Sequence, residues 1–333
     1  MTDFKAPIDD MLFSLKHIAG ADSLPGWDEE SLREIASHHA AFVESEIAPL
    51  NSPGDLQGAR LMDGRVVLPD GFKEAYQAYA EQGWQGLVVP EAYGGHALDD
   101  LGLDDLALAL TSETMSGANH AFQMLGGLAP GLVRVLLKFG TEEQRQRYLP
   151  AIASGKSLST MALTEPGAGS DLSRIKCTAT QTGENWLLSG EKIFISNGDQ
   201  DASETTTHLV LARTSDEGVK GLSLFLCPAH LPDGSRNAVQ VLRIEHKMGI
   251  KASPTCHMLF DSAQAEIIGE PGQGLKLMFE MMNHARLDVA LQGVAHASRA
   301  GQIARAYAAE RVQGGVAIDQ HPDVQRMLDE IDM

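Results

Sequence analysis

The residues best placed to do chemistry lie in one stretch, Met161-Ala162-Leu163-Thr164-Glu165-Pro166-Gly167-Ala168-Gly169-Ser170-Asp171. A short apolar segment runs there into a loop of small residues. Small side chains let backbone N–H groups approach an anion or the edge of an aromatic ring. The hydroxyls of Thr164 and Ser170 add donors. A plain turn would use the same residue types, so the loop alone does not decide between a ligand site and a turn.

Other patterns carry less. Ser154-Gly155-Lys156-Ser157 ends like a phosphate-binding P-loop, but Pro150 stands where that motif needs its first glycine. Gly167 and Gly169 begin a dinucleotide fingerprint that Leu172 breaks. HExxH and GxSxG are absent from the sequence. His38 and His39 are adjacent, so on a helix they point about 100° apart and make a poor metal pair. No metal site is expected. The methionines of Leu277-Met278-Phe279-Glu280-Met281-Met282 read as core filling.

The loop sits where the chain changes character, and the surrounding elements must position it. From about residue 28 to 155 the pattern is helical. Asp28 caps a helix that ends before Pro49, and Asp70 or Gly71 opens another. Pro90 and Gly94-Gly95 break the pattern. Helical character continues over 103–116 and 119–138, with a kink expected at Pro130. Thr141 with Gln144 makes a capping box. From about 161 to 270 short runs of period 2 alternate with Gly, Pro, Asn and Asp, and 178–189 reads as a hairpin about Gly183-Glu184-Asn185. Helices do not alternate with these strands, so an antiparallel sheet or barrel is expected. Gly272–Gly274 then opens a long, largely buried helix from Leu275 to about Val312. Pro322 starts a further helix. One long helix and a short one cannot close a bundle. The chain therefore reads as the N-terminal portion of a longer protein, and its uncovered apolar stripe predicts aggregation if it is made alone. The fold class is α+β multidomain: an all-α domain over 1–160, a central antiparallel β-barrel over 161–271, and the start of a C-terminal helical bundle over 272–333.

Composition bounds the rest. The chain has 333 residues, 43% hydrophobic and 21% charged, as in folded proteins. Its 26 basic and 45 acidic residues give a formal charge of −19, which disfavours nucleic acid as a partner. Cys177, Cys227 and Cys256 are scattered and odd in number, which argues against a disulfide framework. No run long enough to span a membrane and no signal peptide is seen, so a cytoplasmic location is expected.

Order and spacing decide what the loop is. Four blocks, GLVVPEAYGG at 86–95, FGTEEQRQRYLPAIASGKSLSTMALTEPGAGSD at 139–171, GEKIFISNG at 190–198 and ERVQGG at 310–315, resemble signatures of the acyl-CoA dehydrogenase family in the family's own order. The N-terminal extension and MNHARLDVALQGVAHASRA at 282–300 look most like the subfamily of 3-methylmercaptopropionyl-CoA dehydrogenases. The resemblance implies FAD as cofactor, held between barrel and bundle. It implies FAD-dependent α,β-dehydrogenation of an acyl-CoA to the trans-2-enoyl-CoA; the acyl group is left open, with a methylthiopropionyl-CoA-type substrate implied by the subfamily likeness alone. A carboxylate takes the α-proton, and the β-hydride passes to FAD. It also implies an electron-transfer flavoprotein as electron acceptor and a homodimer or homotetramer.

Residue by residue, Met161, Leu163 and Thr164 match positions touching the flavin's pyrimidine edge. Gly169 and Ser170 match the loop near the flavin phosphates and the acyl-CoA. Phe194 stands where the family often has Trp against the isoalloxazine, and Ser196 where it often has Thr. Asn283 and Arg286 match the helix stretch on the CoA side. Arg311 and Gln313 match contacts to a neighbouring subunit's FAD. Arg174 replaces a residue that is commonly small. The base is not identified. Most members carry it later in the bundle, so the resemblance puts it beyond Met333. A minority carry it at the position of Ala285, and alanine accepts no proton. A non-catalytic acyl-CoA-binding scaffold, an acyl-CoA oxidase and a flavin monooxygenase are the competing readings.

Overall fold

The computed structural model describes residues 3–97, 103–183 and 185–332. Two compact units emerge, each built from separate stretches of chain: residues 1–51, 100–123 and 287–333 form one, and 52–99 with 124–286 form the other.

The first unit is helical. It contains α1 (Ile8–Phe13), α2 (Glu29–Phe42) and parts of two longer helices, α5 (Leu103–Gly126) and α8 (Gly274–Glu310). The Asp28 side chain caps α2 by accepting from Glu30 N and Ser31 N. The helix does not run on unchanged to Pro49 as expected. It gives way to a π-turn over Val43–Ile47 and a 3-10 turn over Ala48–Leu50. Asn119 breaks the α5 ladder with non-helical φ/ψ, where the second of the two helical runs expected from sequence begins. After α8, β10 (Val312–Gln313) and β11 (Val316–Ala317) form a hairpin whose turn, Gly314-Gly315, has φ of 65° and 88°. Both values favour glycine, and both are the sign a two-residue hairpin turn requires. Pro322 opens α9 (Pro322–Asp332) as expected.

The second unit holds the sheet. Before it come α3 (Asn51–Gln57, whose first residue belongs to the helical unit), the hairpin β1 (Arg60–Met62) and β2 (Arg65–Val67), which the sequence reading missed, and α4 (Phe72–Glu81). Gly71, not Asp70, is the N-cap of α4, and no side chain caps it. Pro130 sits in the first turn of α6 (Ala129–Phe139). It therefore starts a helix instead of kinking one, because its missing N–H would be unpaired there anyway. The Thr141–Gln144 capping box opens α7 (Glu142–Ala153) as read.

The strands are β3 (Ser157–Ala162), β4 (Thr178–Thr182), β5 (Asn185–Ser196), β6 (Thr205–Arg213), β7 (Leu222–Pro228), β8 (Val239–Ile244) and β9 (Thr255–Ile268). They form one seven-stranded sheet in the order β3-β6-β4-β5-β9-β7, with β8 on β9 and a further β6–β7 pairing. The expected hairpin joins β4 to β5, and its Glu184 lies outside the described residues. The purely antiparallel expectation is corrected. β3 runs parallel to β6, and β4 meets β6 in parallel at Thr178–Arg213. The whole β4–β5 hairpin lies between β3 and β6, which gives the chain the length that a parallel return needs. Leu209, Val210, Leu211, Leu224, Phe225 and Leu226 are fully buried in this sheet. Each such side chain is worth about 1.5–3 kcal/mol.

α8 also departs from expectation. Leu277, Met278, Met281, Ala295 and Ala308 are buried, but Leu287, Val289, Val294, Ile303 and Tyr307 are exposed in this chain. Its burial is a stripe, as one-sided packing produces. Among the described residues, no single helix is long and apolar enough to cross a membrane. Among the described residues, the α5–α6 pair meets that test only when its two helices are taken together across their break.

Candidate functional site: the loop after β3

The loop that follows β3 is held from beneath by a buried ion pair. Glu165 and Lys192 are 6% and 0% exposed, and Lys192 Nζ lies 2.8 Å from Glu165 Oε1. The same carboxylate accepts from Cys177 N at 3.0 Å and Lys176 N at 2.7 Å. Lys192 Nζ also donates to Leu163 O at 3.0 Å. Ile193 N donates to Thr164 O at 2.9 Å. Residues 163–165 are thus fixed to β5 through two consecutive carbonyls and one carboxylate. Glu165 and Ala168 exchange backbone hydrogen bonds across the Pro166-Gly167 turn. Arg213 fastens the far side of the loop by donating to the carbonyls of Ser173 and Ile175, and also to those of Ser215 and Gly218. Asp171 caps the short turn Leu172–Arg174, so Arg174 is accommodated in a 3-10 turn.

A loop anchored this firmly still leaves groups for a ligand. Met161, Leu163 and Thr164 are half-buried, and Gly169 and Ser170 are exposed. A Cβ placed at Gly167 or Gly169 would meet nothing within 4 Å, so the loop faces open space. No described group accepts a hydrogen bond from the Thr164 N–H.

β5 supplies the second part. Its pairing with β9 slips between Lys192 and Ile195, a bulge that places Ile193 and Phe194 opposite one residue. Phe194 lies in that bulge with φ of 60° and is 59% exposed. A bulky side chain in the left-handed region is rare and costs on the order of 1–3 kcal/mol. Bulges re-aim side chains, and this one turns an aromatic ring out of the sheet. Ser196 is half-buried two residues on. Asn197 also has positive φ, and its side-chain amide donates to Met124 O. The Lys192 and Ile193 links therefore join the segment that carries Leu163 and Thr164 to the β5 segment that carries Phe194 and Ser196.

Within the same unit, Arg286 on α8 donates to Asn283 Oδ1 at 2.7 Å, and its guanidinium lies 5.2 Å from the Phe279 ring centre. Both are exposed. Ala285 between them is half-buried and offers no acceptor. Neither nearby carboxylate of α8 is free. Glu280 pairs with Lys138 Nζ at 2.8 Å. Asp288 accepts from Ser112 Oγ, from Gln123 Nε2 at 2.8 Å and from Gln292 Nε2 at 2.9 Å. Met333, and with it the base expected beyond it, lies outside the described residues. Arg311 and Gln313 belong to the helical unit, exposed on the hairpin after α8. His321 Nε2 lies 3.0 Å from Gln313 O, and Ile318 N donates to Arg311 O at 2.8 Å. No group of three or more potential metal-ligating His, Cys, Asp or Glu side chains occurs among the described residues.

Sequence reasoning missed Glu165 and Lys192 as the anchors of the loop, although both lie inside the blocks it singled out. A signal was present. In the period-2 pattern of β5, Lys192 shares the inward phase of Leu188, and a lysine on that face needs a buried partner.

Comparison with known proteins adds an independent line. The acyl-CoA dehydrogenase N-terminal domain family matches residues 29–156, the middle domain family 160–263 and the C-terminal domain family 272–333. A probable acyl-CoA dehydrogenase of Mycobacterium bovis is 32% identical over 90% of this chain and 72% of its own length. The chain belongs to the acyl-CoA dehydrogenase family. A 3-methylmercaptopropionyl-CoA dehydrogenase of Ruegeria pomeroyi is 41% identical over 98% of this chain. The chain spans 58% of that relative's length. A crystal structure of an acyl-CoA dehydrogenase from Bacillus anthracis complexed with FAD superposes with a TM-score of 0.76 at 29% identity, covering 92% of this chain and 49% of that one.

Proposed function

We propose that the chain carries the cofactor- and thioester-binding parts of an FAD-dependent enzyme that dehydrogenates acyl-CoA at the α,β position. The observation that carries this reading is the anchored loop after β3, with its unclaimed Thr164 N–H, set beside the outward Phe194 ring. Backbone donors on a rigid loop and an exposed aromatic face are what a flavin ring needs. FAD, when bound, supplies the hydride acceptor. In this reading Met161, Leu163 and Thr164 hold the pyrimidine edge, and Gly169 and Ser170 approach the phosphates and the thioester. Phe194 stacks on the ring and Ser196 donates to it. Asn283 and Arg286 bind the CoA side, and Ser170 serves both ligands.

The family match supports the domain layout 1–160, 161–271 and 272–333. β6 pairs with β7 as well as with β3 and β4, which supports closure of the sheet as a barrel. The assembly is a homodimer or homotetramer in which Arg311 and Gln313 reach a neighbour's FAD. An always-charged, planar guanidinium suits a pyrophosphate. Electrons leave to an electron-transfer flavoprotein. The similarity to the Ruegeria pomeroyi relative favours a methylthiopropionyl-CoA-type substrate.

Anaerobic titration of the full-length, FAD-loaded protein with saturated acyl-CoA thioesters, 3-methylmercaptopropionyl-CoA among them, tests this; residues 1–333 alone, in which no base is identified, are expected not to reduce FAD. Loss of the oxidised flavin's visible band with enoyl-CoA as product is the expected result. Saturable binding without that loss, for every thioester, would overturn dehydrogenation and leave an acyl-CoA-binding scaffold, the reading that Ala285 favours.

A further inference from the structure

Lys192 is not explained by holding the loop alone. Its ammonium is fully buried and has two described acceptors, Glu165 Oε1 at 2.8 Å and Leu163 O at 3.0 Å. Leu163 O and the Thr164 N–H are the two ends of one peptide unit. The next carbonyl, Thr164 O, is pinned by Ile193 N at 2.9 Å, so the orientation of that peptide is fixed from both sides. Its N–H has no acceptor among the described residues. A cation against the carbonyl draws electron density through the planar amide and makes the N–H at the other end a stronger donor. Lys192 and Glu165 are buried, so the ammonium's effect on that peptide is screened less than it would be at the surface.

We infer that Lys192 is a positioning and polarising residue: through the Leu163–Thr164 peptide it strengthens the hydrogen bond that the Thr164 N–H offers to bound flavin, and so sets how readily that flavin is reduced. The inference rests on the FAD site proposed above and adds a residue that does not touch the cofactor. Its direction follows from charge. Reduction places negative charge on the pyrimidine side of a flavin, so a stronger donor there favours the reduced form. Glu165 acts in the opposite sense, because its carboxylate offsets part of the ammonium's field. The pair as built therefore holds the peptide at an intermediate polarisation.

The test is the reduction potential of FAD-loaded protein, measured by reductive titration against a reference dye, together with the affinity for oxidised FAD. In Glu165→Gln/Lys192→Gln the charges go and the shapes stay. The ratio of reduced to oxidised affinity is expected to fall about tenfold, a potential about 30 mV more negative for a two-electron couple. Glu165→Gln alone leaves the ammonium uncompensated and is expected to shift the potential to more positive values. Lys192→Arg keeps the charge and is expected to stay within about threefold of the parent ratio, about 14 mV on the same scale. A purely structural anchor would weaken oxidised and reduced FAD alike. Unchanged potentials in the variants that retain FAD, or shifts of the same sign in Glu165→Gln and the double variant, overturn the inference. If the double variant does not fold, the sign of the Glu165→Gln shift decides alone. Failure of the parent protein to bind FAD would overturn the proposed function, and this inference with it. A parent that binds FAD beside variants of unchanged potential would overturn this inference only.

Discussion

Phe194 concentrates the account at the scale of a residue. Its left-handed backbone is a standing cost that the fold tolerates at one bulge. Replacing it with glycine removes the strain and the ring together. Phe194→Gly is expected to leave stability unchanged or raise it by about 1 kcal/mol in denaturant titration, while FAD affinity falls at least about tenfold. Loss of stability with affinity intact would show that the ring serves packing. Ser196 makes a smaller claim. Ser196→Ala removes one donor and is expected to weaken FAD binding by about 0.5–1.5 kcal/mol in a fluorescence titration. An unchanged affinity would remove Ser196 from the site. The small-residue loop was legible because its residue types are unusual for their place, whereas Phe194 was legible only through the family resemblance. The Glu165–Lys192 anchor was less so, since a buried ion pair joins residues 27 apart that only the folded sheet brings together.

Local chemistry decides the elements more reliably than long-range pairing does. The Thr141–Gln144 capping box satisfies two otherwise orphaned groups at the start of α7, and both hydrogen bonds form, at 3.2 and 3.1 Å. Thr141→Ala is expected to cost about 1 kcal/mol in thermal or chemical unfolding. A change below about 0.3 kcal/mol would mean that solvent replaces the cap at no cost. Capping, the Pro322 start and the β4–β5 hairpin were readable because each depends on residues a few positions apart. The parallel β3–β6 ladder was not readable, since strand direction is set by a partner some 50 residues away. The β1–β2 hairpin was missed because its strands are only three residues long. The phase slip in β5 was hidden for a related reason: a bulge shifts a period-2 pattern by one residue without leaving a glycine or proline to mark it.

At the scale of the whole molecule, acidity is the sharpest lever. His208 is fully buried with its ring edge-on to Phe260, and Nδ1 lies 2.8 Å from Thr160 Oγ1. Burial holds its pKa down, to about 4 from an ordinary 6.5. The unfolded chain therefore binds a proton between those values that the folded chain does not, so stability falls as pH drops from 6.5 towards 4 and is flat above. The slope is expected in denaturant midpoints measured across that window. His208→Gln should reduce it, by up to about 3 kcal/mol over the whole range. An unaltered slope would assign the acid sensitivity to other groups.

The most direct measurement is the titration of the full-length protein with FAD, followed by absorbance and calorimetry, for the parent and for Phe194→Gly. Saturable binding at one FAD per chain is expected for the parent, with a flavin spectrum shifted from that in water, and affinity at least about tenfold weaker for the variant. No saturable binding by the parent, or equal affinity in both, would contradict the proposed FAD site.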